Sequence, residues 1–222
     1  MGPPALTTWH RFAPGEARGM LPAFAGVQYG PDLPGEGELR LLGNLSDRRV
    51  LELGCGGGQE LVAFARQGAS AIGLDASREQ LNAAQRLSDA EKVRVELHQG
   101  DPADLAFLRA DSVDIVFSAY ALADVDDLNR VFRQAHRILK QGGPLVFSLP
   151  HPVAGILSVP GTSYFGRRTL GDIFGGLTRA KFRVDAVVEP RPTAGGSRSR
   201  WWSDDYSRVP STLIVRARKE GV

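Results

Sequence analysis

The sequence predicts an α/β fold, a doubly wound and mostly parallel sheet with helices on both faces. Short apolar runs alternate with segments of helical period from about residue 50 onward. Most of those runs lack the polar alternation of a half-exposed strand. The first of them opens into a glycine-rich loop, where an open parallel sheet places its ligands.

Residues 1–45 read as an irregular or helical leader that folds over the domain as a lid, with turns at Pro14-Gly15 and at Pro31 through Gly35. The domain proper is expected over 46–222. Its first strand is Val50 to Leu53, followed by a helix from about Glu60 to Gln67; the second is Ala71 to Leu74, followed by a helix from Ser77 to about Ala90. Ser77 with Gln80 three residues on is a capping-box pattern. Strands follow at Val93 to Leu97 and Val113 to Phe117, then a helix from about Asp126 to Leu139 and a strand from Leu145 to Leu149. Lys140-Gln141-Gly142-Gly143-Pro144 reads as the end of that helix, with a cation in its last turn, glycine at the cap and proline beyond. The texture changes after Pro150. Residues 151–181 read as a cap on the substrate side with a helix from Thr169 to Ala180, and strands at Phe182 to Val188 and Thr212 to Ala217 bring the sheet to seven. The Pro, Gly and Ser-rich stretch 189–199 between them reads as an exposed loop.

At 222 residues the chain is long enough to bury a core without disulfides or a structural metal. Its single cysteine, Cys55, cannot form an intramolecular disulfide, which together with the lack of a signal-peptide pattern points to a soluble, cytoplasmic protein. No run of eighteen apolar residues exists, so no membrane span is expected. Residues 1–150 carry 15 basic and 19 acidic side chains and residues 151–222 carry 12 and 6, so the front is at −4 and the back at +6. The basic residues are dispersed, which reads as a solvated face; a nucleic-acid partner is not expected.

Leu51-Glu52-Leu53-Gly54-Cys55-Gly56-Gly57-Gly58-Gln59-Glu60 lies between the first strand and its helix. Glycines there let a backbone come close to a ligand. A dinucleotide fingerprint fails because its last glycine falls on Gln59, and a phosphate loop fails for want of a Gly-Lys-Ser/Thr ending. The pattern is instead Glu52-x-Gly54-x-Gly56-x-Gly58, an acid ahead of the glycines with no cation nearby, which suits a ligand carrying a cationic amine and a sulfonium.

With this loop, Gly73-Leu74-Asp75-Ala76-Ser77, Gln99-Gly100-Asp101-Pro102-Ala103 and Ser112 to Leu122 in order, the chain resembles the class I S-adenosylmethionine-dependent methyltransferases over about residues 25–150. The resemblance implies a Rossmann-like sheet under an N-terminal helical lid and S-adenosyl-L-methionine as cofactor. It implies that Glu52, Gly54, Cys55 and Gly56 approach the methionine end, that Asp75, beside Ala76 and Gln80, holds the ribose hydroxyls, and that Asp101, beside Pro102, meets the adenine amino group. The main chain at Ser118 would lie near the methionine end, and Tyr29 would cover the cofactor. Val27 through Pro31, Phe117 through Tyr120, Ser148 through Pro152, Ser163-Tyr164-Phe165, Arg168 through Asp172 and Trp202-Ser203-Asp204 are similar to a group of uncharacterised bacterial small-molecule-type methyltransferases. Relatives of this kind usually have a longer insertion between Phe165 and Arg168, so the expectation is a substrate-side lid that is either shortened or incompletely represented here.

Transfer of a methyl group from a sulfonium is a direct displacement in which alignment is the enzyme's main contribution. A small-molecule acceptor at oxygen or nitrogen is expected ahead of carbon. Should the acceptor lose a proton, His151 after the fifth strand is the candidate base; the other reading of His151 is a turn cap before Pro152. His10 is a second candidate. His98 and His136 have no partner spacing for a metal, and none is expected. Tyr29, Tyr120, Tyr164, Trp201 and Trp202 are candidate walls for an aromatic acceptor or ordinary packing residues. An RNA-directed methyltransferase and a non-catalytic S-adenosylmethionine-binding protein are the alternatives, and the dimeric state is open.

Overall fold

The computed structural model describes residues 7, 9, 26–158, 161, 163–166, 168–194 and 198–220. Its seven strands are β1 (Arg49–Leu53), β2 (Ser70–Asp75), β3 (Val95–Gln99), β4 (Ile115–Ala119), β5 (Pro144–Pro150), β6 (Phe182–Val188) and β7 (Thr212–Lys219). They form one sheet in the order β3-β2-β1-β4-β5-β7-β6. β1 to β5 pair in parallel, and β7 runs antiparallel to both β5 and β6. The chain winds outward from β1 to β3 and then restarts at β4, on the other side of β1. The carboxyl ends of β1 and β4 therefore border the switch in strand order, the place where such sheets bind ligands.

Strand alternation sorts the side chains into two cores. Leu51 and Leu53 of β1, Val116 of β4 and Phe147 of β5 face one of them, under α4 (Leu128–Ile138) and α6 (Leu170–Arg179). Val50, Phe117 and Val146 face the other, under α2 (Gln59–Arg66), α3 (Arg78–Ala90) and the segment from Val27 to Leu45, which contains the short helix α1 (Glu36–Leu39). The spacing of Leu128, Val131, Phe132, Ala135 and Ile138 puts all five on one face of α4, and all are buried. Each of the larger apolar side chains contributes about 1.5–3 kcal/mol on burial.

The cap predicted at Ser77 is present, the start of α6 adds one that was not singled out, and the predicted helix end at Lys140 needs correcting. Ser77 accepts from the Gln80 amide at the start of α3, and Thr169 and Asp172 form a reciprocal capping box on α6. Lys140, however, is not in the last turn of α4. That helix ends at Ile138, followed by an extended Leu139 whose neighbour Val113 makes an isolated bridge to it. Lys140 donates to Asp114 instead, and Gly142 turns the chain into β5 in the left-handed conformation. β3 begins two residues later than the apolar run suggests, and it alternates half-buried with exposed because it is the sheet edge. The stretch after β6 is tied down rather than simply exposed: Thr193 and Ser199 both bond Asp32. Most of residues 1–25, including His10, lie outside the described residues. No helix among the described residues is long and apolar enough to cross a membrane.

Candidate active site

Gly54, Gly56 and Gly58 have φ of 72°, 52° and 85°, all in the left-handed region where a side chain costs about 1–2 kcal/mol per residue. That alternation coils the loop back over the end of β2. The amides of Gly54 and Cys55 donate to the Leu74 carbonyl at 2.7 and 3.0 Å, and the Gly56 amide donates to Asp75 Oδ2 at 3.0 Å. Asp75 Oδ1 accepts from the Ser77 amide at 2.9 Å. Asp75 is thus buried with both oxygens on backbone amides, fixing the loop to the next βα turn.

Glu52 stands one residue before the end of β1, in register with Gly73 of β2 and Phe117 of β4 and on the same face as Val50. Its side chain is buried, and its Oε2 has no hydrogen-bond partner among the described residues. Burial raises its pKa well above the ordinary carboxylate range, and the charges of Glu60 and Asp75 raise it further. Glu60, in the first turn of α2, is also buried and raised by desolvation, although its Oε1 accepts from the Gln28 amide at 3.2 Å. Three acids thus share the space behind the glycine loop. A buried charge without a counterion is costly, so this space favours a ligand that brings positive charge. Glu60 was not singled out in the sequence, although its place directly after the loop and on the first turn of an expected helix was the signal that marked it.

The other predicted contacts surround this centre unevenly. Asp101 is exposed after β3, with Oδ1 accepting from the Ala103 amide at 2.7 Å, and Pro102 is half-buried beside it. Gln99 donates to the carbonyl of Ala76 at 3.1 Å, holding the ends of β2 and β3 together. Gln80 and Cys55 are buried and Ala76 is exposed. The Ser118 hydroxyl donates to the Leu53 carbonyl at 2.8 Å, and the residue is fully buried in β4 opposite Phe147 of β5.

Two of the expected site residues have their polar atoms engaged by neighbours. The ring of Tyr29 is fully buried against Phe117, with centroids 5.7 Å apart, and its hydroxyl donates to Glu36. Burial, then the Glu36 charge, keeps that phenol protonated. Tyr29 is a packing pin under the 27–45 segment, with its ring against Phe117 near the end of β4. His151 is buried with both ring nitrogens engaged: Nδ1 accepts from the Val153 amide at 3.2 Å, and Nε2 meets Glu189 Oε1 at 2.8 Å. An amide only donates, so the proton sits on Nε2 and no nitrogen lone pair is free for an acceptor. This is the turn-cap reading, at the start of α5 (Pro152–Ser158).

A cavity of about 210 Å³ opens at the carboxyl end of β5, lined by Leu149, Pro150 and His151, with Ala123, Asp124, Arg168 and Ile173 opposite. Arg168 bonds the carbonyls of Leu122 and Ala123 at 2.7 and 2.8 Å, which pins α6 to the turn after β4. None of the five aromatic candidates lines this cavity. Tyr120 is buried with its hydroxyl on Thr212, and Tyr164 accepts from the Leu170 amide.

Comparison with known proteins places this arrangement. Residues 51–147 match a family described as a methyltransferase domain. The chain is 36% identical over 123 residues to a ubiquinone biosynthesis O-methyltransferase of Pseudomonas syringae pv. tomato, covering 54% of this chain and 53% of that protein. It is 34% identical over 160 residues to the protein of that name in Bordetella avium, covering 71% and 63%. The chain therefore spans about half to two thirds of the length of these curated relatives. The crystal structure of an S-adenosylmethionine dependent methyltransferase from Mesorhizobium loti superimposes with a TM-score of 0.68 at 26% identity, covering 81% of this chain and 94% of that one.

Proposed function

The chain belongs to the class I S-adenosylmethionine-dependent methyltransferases, and from that premise we propose that it methylates a small-molecule acceptor at oxygen or nitrogen by direct displacement. The observation that carries the reading is the buried Glu52 oxygen without a hydrogen-bond partner among the described residues, set behind three left-handed glycines in a cluster of acids. Glu52 and Glu60 would balance the positive charge at the methionine end of the cofactor. Asp75 would take the ribose hydroxyls, and Asp101, beside Pro102, the adenine amino group. Gly54 to Gly58 and the main chain at Ser118 would form the floor. When bound, S-adenosylmethionine supplies a methyl group on a cationic sulfur.

The protein's share of the reaction is alignment and exclusion of water. The cavity beside β5 would seat the acceptor, with Leu149 and Ile173 forming its apolar walls and Arg168 holding the turn after β4 in place. His151 shapes that cavity through its bonds to Val153 and Glu189 and would serve the site as a turn cap. Oxygen is favoured over nitrogen by the O-methyltransferase relatives. Residues 1–45 would form the lid and 151–181 the substrate-side cap. We place the reaction in the cytoplasm, in keeping with a lone and buried Cys55.

The test is incubation with methyl-labelled S-adenosylmethionine and a panel of phenols, catechols and amines, in parallel with bulk RNA. Label in a small organic product is the expected result. Label only in RNA, or none anywhere from a protein that binds the cofactor, would overturn the small-molecule reading.

A further inference from the structure

Beyond β6 the chain builds a second concavity that neither the cofactor cluster nor the cavity beside β5 uses. It is a groove of about 540 Å³, lined by the 189–192 and 207–210 segments together with Arg198, Trp202 and Tyr206. Three of its charged residues are arginines, Arg191, Arg198 and Arg208, and the fourth is Glu189, whose Oε1 is on His151. Arg198 lies over the Trp202 ring at 4.0 Å and donates to the Thr193 carbonyl; Arg191 and Arg208 have no carboxylate partner among the described residues. The walls are held before any ligand arrives. Asp32 fixes one rim by accepting from the Thr193 and Ser199 amides at 2.8 and 2.9 Å, the former through its carbonyl and the latter through its carboxylate. Trp202 donates its indole hydrogen to Asp204 and meets Tyr206 edge to face.

We propose that this groove binds a planar aromatic anion, the acidic end of the methyl acceptor. Guanidinium groups bind carboxylate or phosphate oxygens through charge-assisted pairs, and Trp202, with Arg198 seated on its ring, and the Tyr206 phenol beside it supply aromatic lining. The volume is in the range of small-molecule sites and exceeds what a lone inorganic anion needs. Glu189 lines the groove and its partner His151 lines the cavity beside β5, so one side-chain pair separates the two. The role as acceptor end rests on the methyltransferase reading; binding of the anion does not.

Calorimetric titration of the whole protein with 2-naphthoate, 2-naphthyl phosphate and methyl 2-naphthoate tests it, alongside S-adenosylhomocysteine as a separate titrant. Saturable binding of an acid at least tenfold tighter than of the ester is expected, and the ratio of the two acids tells carboxylate from phosphate. Arg191→Gln/Arg208→Gln should weaken the acids at least tenfold and leave S-adenosylhomocysteine binding and the melting temperature unchanged, whereas Arg94→Gln at the opposite sheet edge should change nothing. Equal affinity for acid and ester, no effect of the double substitution, or tighter binding of a thymidine hexanucleotide than of either acid would overturn the proposal. Failure of S-adenosylhomocysteine to bind would strike the methyltransferase reading instead and leave the groove result to stand or fall alone.

Discussion

Glu52 is the residue whose surroundings set the strongest constraint. Its pKa is raised in the folded protein, so above the ordinary value of 4.5 the ligand-free fold holds more protons than the unfolded chain. Stability of the ligand-free protein therefore falls as pH rises from about that value toward the raised one, and Glu60 acts in the same direction. Glu52→Gln should flatten this fall, leaving a variant at least as stable as the parent at pH 8 in urea melts; a clear loss of stability there would contradict the assignment. Binding of a cationic ligand has the opposite dependence. It draws the proton off, so affinity for S-adenosylmethionine should rise with pH and heats should vary with the ionisation enthalpy of the buffer. Glu52→Gln should cost at least tenfold in affinity and weaken that pH dependence. His151 is predicted to act through structure: His151→Gln should lower the melting temperature while the pH profile of turnover keeps its shape, whereas a changed profile at an unchanged melting temperature would make it the base after all. The sequence made Glu52 legible because an acid before alternating glycines is a local pattern. It could not show that Tyr29 and His151 spend their polar atoms on Glu36, Val153 and Glu189, since those partnerships are made by tertiary packing.

The glycine loop and the caps are where local sequence decides an element. Gly58 combines a φ of 85° with a close neighbour, since a Cβ there would meet the Ala84 Cβ at 2.8 Å. Gly58→Ala should destabilise by at least about 1–2 kcal/mol from the backbone alone, read as a shift in urea midpoint, and should loosen the packing of α2 on α3. Gly30 is limited by space rather than by backbone angle. A Cβ on Gly30 would lie 2.0 Å from the Tyr120 hydroxyl, which is fixed to Thr212. Gly30→Ala should therefore lift the 27–35 segment off the site and raise the dissociation constant for the cofactor. Thr169→Ala should cost about 1 kcal/mol, since both halves of its box with Asp172 are formed. The serine cap at Ser77 was readable because a cap is a contact over three residues. The end of α4 was misread at Lys140 because the bond that claims that side chain runs to Asp114, 26 residues away.

At the scale of the molecule, the alternation of apolar runs with helical segments was enough to give seven strands on a doubly wound frame, since a buried parallel strand declares itself by composition. The strand order is carried by the crossover from β3 to β4, and with it the crevice between β1 and β4. Glu52, Asp75, Asp101 and Ser118 all fall at or just beyond carboxyl ends of strands, so the residues singled out in the sequence gather at one edge of the sheet. The cavity beside β5 was less visible because it joins Ala123, His151 and Arg168 from three separate segments. The most direct test of the whole reading is calorimetric titration of the protein with S-adenosylmethionine and S-adenosylhomocysteine, with a thermal melt as check. A ligand bound only by the folded state at about 100 times its dissociation constant should add about 2.7 kcal/mol of stability. Saturable binding with proton release, lost in Asp75→Ala, is the predicted result; a folded protein that takes up neither ligand would contradict it.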